Sequence, residues 1–165
     1  MSAKEFIKKV GTVGLGHSVT FFVSHWFDYL LYIPMVTFLG PVKGGGIMLV
    51  LSMIMNLTLI WVYDKTGKDW LGFEALKQGK EEVSSKLPKW LKKAVTAGDT
   101  VAFIGLSVYD PLFAVIYLRK QDQVFKGLSA RDWKIFLAST VIANIGWTGL
   151  IYGGVILFHI IKAAF

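Results

Sequence analysis

Apolar runs of bilayer-spanning length cover residues 13–39, 47–63, 98–120 and 133–161, and glycine, proline or lysine clusters separate them. About 20 apolar residues suffice for a helix to cross a hydrocarbon core, so the pattern predicts four spans. Gly40-Pro41-Val42-Lys43-Gly44-Gly45-Gly46 has the composition of a tight turn, which makes the first two spans antiparallel neighbours. Pro34 lies inside the first span and is expected to kink it. Trp61 and Tyr63 close the second span with side chains suited to the headgroup level. The last helix is expected to start at Ser129-Ala130-Arg131-Asp132. It exceeds bilayer thickness, so it should tilt or project, and it carries a strip of small residues, Ser139, Ala143, Gly146, Gly149 and Gly153.

The pattern occurs twice. WLKKAVTAGDTVAFIGLSVYD, from Trp90, aligns with FIKKVGTVGLGHSVTFFVSHWFD, from Phe6, after a two-residue gap. His17 then falls on Asp99 and Asp28 on Asp110, the earlier polar position lying eleven residues upstream of the acid in each copy. Residues 47–57, IMLVLSMIMNL, align without gaps to 135–145, IFLASTVIANI, placing Ser52 on Thr140 and Asn56 on Asn144. An internal duplication of this kind predicts an all-α integral membrane four-helix protein. Its two parallel two-helix repeats are each preceded by an interfacial basic amphipathic segment. The divisions expected are 1–63 for the first repeat, 64–87 for a cytoplasmic interfacial link and 88–165 for the second repeat.

Composition supports the bilayer. Hydrophobic residues make up 54% and charged residues only 18%, below the quarter usual in soluble domains. The net charge of +7 would suggest nucleic acid in a soluble protein. Here the cations cluster between apolar runs, so anionic lipid headgroups near Lys8, Lys9, Lys92 and Lys93 are the expected partners, and nucleic acid is not. Counting lysine and arginine gives twelve in the N-terminal lead-in, the 64–95 link and Lys162, against six in the two opposite links. That asymmetry predicts a multi-pass protein of a bacterial-type inner membrane with both termini cytoplasmic. The first apolar run is too long for a signal peptide and lacks a cleavage site, so it is expected to be retained. With no cysteine, disulfides, thiol nucleophiles and thiolate metal sites are excluded, and no cofactor is expected.

Ionisable groups inside apolar runs carry the chemistry. Asp99 and Asp110 share one face of a helix, about 16 Å apart along its axis. Asp28 and Asp110, matched between the copies, are the leading candidates for convergence, with the amides of Asn56 and Asn144 beside them. Two carboxylates close together in a low-dielectric site suit proton exchange, and converging oxygens suit a hard cation. Asp110 precedes Pro111, which frees a helix carbonyl, so the dipeptide marks a possible broken-helix site of the kind small transporters use. The plainer reading is that each acid caps a neighbouring backbone donor. His17 and His25 lie on the same segment as Asp28 and could relay a proton or bind a metal. No hydrolase, phosphate-loop or zinc-protease motif occurs, and no family signature is recognised.

The expected function is therefore a small transporter, flippase or channel component handling a cation, proton or polar headgroup. Four spans are few for a lumen, so a homo-oligomer or a larger membrane complex is implied. The alternatives are a non-transporting accessory or assembly subunit and a lipid-modifying membrane enzyme with paired carboxylates.

Overall fold

A computed structural model describes residues 16, 18–20, 22–71 and 99–164, and among these the chain is all-helical. The lead-in with Lys8 and Lys9, His17, and the part of the central link with Lys92 and Lys93 lie outside the described residues, as does the side chain of Asp99. Two helical stretches, Ser18–Thr66 and Ala130–Ala163, are long and apolar enough to cross a membrane.

The first stretch is doubled back on itself. Gly40 has φ 77° and ψ 171°, a conformation that a side chain would strongly disfavour. It separates α1 (18–39) from α2 (41–66). Nine residues of straight helix would put Met35 and Gly44 about 13 Å apart. Instead, a methyl group on Gly44 would strike the Met35 carbonyl and the Val36 Cα. The same hairpin brings Gly16 against Trp70 at its open end. The expected turn at 40–46 therefore shrinks to Gly40 and Pro41, and Gly44 and Gly45 instead become buried contact positions within α2.

Within α1, residues Phe27–Tyr32 form a wider π-helical turn, closed by the Ile33 N–H donating to the Asp28 carbonyl. Pro34 explains its position. A proline has no N–H for the ladder and its ring crowds the preceding turn, so the helix absorbs the mismatch by widening just before it.

The third apolar run is not a single span. It consists of α3 (Asp99–Tyr109) and α4 (Pro111–Leu118), broken at Asp110, whose φ of −166° and ψ of 124° are extended. The two helices pack against each other and against α5 (Ala130–Ala164). Ala102 and Leu106 of α3 share a buried cluster with Ile60, Tyr63, Leu71, Ile116 and Phe136. The start of α3, the end of α4 and the end of α2 thus lie at one end of the molecule, here termed the base. The Gly40 turn is the tip. α4 is buried along almost its whole length, sheathed by α2, α3 and α5.

An ion-pair cluster closes the base. Arg119 bonds Asp64 at 2.5 Å and lies 3.8 Å from Asp132. Ser129 and Asp132 cap the start of α5, with Ser129 Oγ donating to Asp132 Oδ2 at 2.8 Å and the Asp132 N–H donating back to Ser129 Oγ at 3.3 Å. Arg131 donates to the Leu118 carbonyl at 2.7 Å, satisfying the end of α4. Four full spans would set Asp64 and Arg119 on opposite faces. Their contact instead sets the end of α4 beside the end of α2.

The parallel-repeat expectation also needs correction. Asn144 and Thr148 of α5 meet Gly45 near the tip, whereas Asp132 joins Asp64 through Arg119 at the base. The aligned segments 47–57 and 135–145 therefore run antiparallel. Tyr63 is fully buried and donates to Asp69 at 3.0 Å, so it is a core residue, whereas Trp61 beside it is exposed. In the tip half Tyr32, Val36 and Met48 form a smaller core with Trp147 and Ile151 against it. The remainder of α5 extends past this core with its large apolar side chains exposed.

Candidate functional site

A cavity of about 50 Å³ lies where α1, α2, α5 and the α3–α4 break meet. Asp28, Asp110, Asn56 and Asn144 all line it, together with Ser24, Ser52, Thr140, Tyr32, Tyr109 and Trp147. The pairs matched by the internal alignment, Asp28 with Asp110, Asn56 with Asn144 and Ser52 with Thr140, thus converge on one space. Such a volume holds a few waters or a bare ion.

Each polar side chain reaches the cavity differently. Asp110 sits at the helix break as N-cap of α4: its Oδ1 accepts from the Leu112 N–H at 2.9 Å and its Oδ2 from Ser24 Oγ at 3.3 Å. The proline at Pro111 costs nothing here, because the first turn of a helix has no use for that N–H. The capping role and the broken-helix placement are therefore both realised by this residue. The start of α4 also points partial positive charge at the carboxylate. Asp28, on the π-helical turn, makes no side-chain hydrogen bond to any described residue. Both carboxylates line the same cavity.

The two asparagines are unlike. Asn144 Nδ2 donates to Tyr32 Oη at 2.5 Å and to the Gly45 carbonyl at 3.0 Å, while Tyr32 Oη donates to the Asn144 carbonyl at 3.0 Å and pairs with Thr148 Oγ1 at 3.1 Å. Asn144 therefore ties α5 to both arms of the hairpin and keeps only its side-chain oxygen uncommitted. Asn56 is 2% exposed, and its Oδ1 is buried with no hydrogen-bond partner. An orphaned amide oxygen of this kind costs about 1–3 kcal/mol and requires a partner that the protein itself does not supply.

Not every candidate joins the site. His25 is exposed, with its ring 5.4 Å from that of Tyr29, and does not line the cavity. Asp99 opens α3, and its side chain, like His17, lies outside the described residues. Among the described residues no group of three His, Cys, Asp or Glu could hold a metal together. Tyr32 and Trp147 belong to the site without having been singled out. Tyr32 lies four residues after Asp28 on an amphipathic face, a signal that its place in an unbroken apolar run obscures. The chain matches no known protein family, and neither curated proteins nor solved structures show a significant match to it.

Proposed function

We propose that this chain is a small integral membrane protein that handles a cation or proton through the cavity at the α3–α4 break, as a transporter or channel component. The observation that carries the reading is the buried, unpartnered Asn56 Oδ1, on a side chain that lines the same cavity as Asp28 and Asp110. Oxygen donors gathered at a broken helix are the arrangement by which compact transporters bind ions. The cavity's size argues against a polar headgroup.

In this reading α1, α2 and α5 cross the bilayer, and α3–α4 is a re-entrant pair, permitted because its irregular backbone is enclosed by protein. The base then carries Lys65, Lys68, Arg119, Lys120, Lys126, Arg131 and Lys134, while Lys43 and Lys162 lie towards the tip. The base is therefore the cytoplasmic side, and α5 carries the chain to the opposite side. This revises the arrangement with both ends cytoplasmic.

Reconstitution into liposomes with entrapped sodium- and pH-sensitive dyes tests the proposal. Asp28→Asn combined with Asp110→Asn should abolish flux while leaving a monodisperse, helical protein. If the double variant fails to fold, or the native protein gives no flux above empty liposomes, the second reading takes over. That reading, an accessory or assembly subunit, is favoured by the structural use of Asp110 and Asn144 and by the uncovered far half of α5.

A further inference from the structure

The site's substrate class follows from counting which oxygens are free. Both Asp110 oxygens already accept hydrogen bonds, one from the α4 backbone and one from Ser24, so the carboxylate is held in place as the cap of α4. The Asp28 carboxylate accepts none from the described residues. Asn56 Oδ1 is buried and unpartnered, and Asn144 has spent its amide hydrogens elsewhere. The uncommitted donors thus include one carboxylate, two neutral amide oxygens and the Ser52 hydroxyl, a hard, all-oxygen set with no imidazole or thiolate.

We infer, on the cation-handling reading above, that this cavity binds a partly dehydrated sodium-sized monovalent cation, with Asp28 as its ion-pairing carboxylate and Asp110 as a fixed positioning group. One free negative charge balances one positive charge. A divalent ion would leave an excess charge among largely buried side chains, which is costly. A transition metal would lack its preferred nitrogen or sulfur ligands. The cavity of about 50 Å³ fits a bare small cation with a water and would crowd a hydrated one. The cation would satisfy the Asn56 oxygen that the fold leaves unpaired.

The test is thermal unfolding of the full chain in detergent at constant ionic strength, in sodium, potassium, calcium or choline chloride, paired with radiolabelled sodium binding. Ligand linkage predicts that saturating sodium raises Tm by about 5 °C or more over choline, with potassium giving less. Asp28→Asn and Asn56→Leu should lose the sodium shift. Gly46→Ala, outside the cavity lining and with open space around a Cβ, should retain it. Equal Tm values in all salts mean that only water fills the cavity and overturn the inference. So does stabilisation by calcium with none by sodium, or a sodium shift that survives in Asp28→Asn. Should that variant fold poorly, Asn56→Leu gives the same decision. Proton flux in liposomes without any sodium shift overturns the sodium site and leaves the transport function standing. A sodium shift without flux supports the site and removes transport.

Discussion

At the scale of single residues, Asn56 and Asn144 show how matched positions come to serve opposite ends. Asn144 is bonded to Tyr32 and Gly45 and holds α5 to the hairpin. Asn144→Leu should remove the Nδ2 bonds to Tyr32 Oη and the Gly45 carbonyl and cost about 1–2 kcal/mol. Asn56 has nothing to lose, since its Oδ1 has no partner. In sodium-free detergent Asn56→Leu should equal or exceed the native stability, because replacing an unsatisfied polar group by an apolar one removes a penalty. Denaturant titrations of the two variants side by side check both signs. Sequence alone picked out both asparagines, and both aspartates, because the internal alignment needs no knowledge of geometry. It could not distinguish their roles, since Asn144's partner Tyr32 lies 112 residues away. Nor could it show that His25 faces outward onto Tyr29.

Among the helices, the α1–α2 hairpin and the α3–α4 break set the depth of the cavity. Gly44 and Gly46 stand two positions apart in α2 with different surroundings: a Cβ on Gly44 meets the Met35 backbone, whereas one on Gly46 meets nothing within 4 Å. Gly44→Ala should therefore force the hairpin apart and lower the melting temperature by several degrees. Gly46→Ala should be neutral or stabilising by up to about 1 kcal/mol, by helix propensity alone. Thermal unfolding of the pair checks the prediction, with either variant serving as the other's control. Similarly, Asp110→Ala should cost about 0.5–2 kcal/mol as α4 loses its cap, and Asp110→Asn should cost far less. The turn at Gly40 and the break at Asp110 were legible from glycine and proline chemistry. The reversal at Asp110 was not, because hydrophobic length records how much chain is apolar and not where it turns. Likewise, aligned letters carry no direction, so the antiparallel course of α2 and α5 was invisible.

Taken as a whole, the molecule has an end defined by Asp64, Arg119 and Asp132 and an end defined by Gly40. Charge counting set Arg119 apart from the 64–95 link because it took each apolar run as a crossing, whereas Arg119 bonds Asp64. The chain has no cysteine, so single cysteines can be introduced without background. In sealed vesicles, cysteines at Lys68 and Lys126 should react with a membrane-impermeant maleimide from one side, and cysteines at Lys43 and Lys162 from the other. Labelling of Lys126→Cys together with Lys43→Cys would restore the four-span arrangement and exclude the re-entrant pair.

The wide turn at Phe27–Tyr32 sets the phase between the parts of α1 on either side of it. A turn that bonds five residues back is an ordinary helix with one amino acid inserted. Excising a single residue there would recover regular winding and swing everything before it by about 100° around the axis. A helix wound regularly through this point could not aim the residues on both sides of the turn at one interior as this one does.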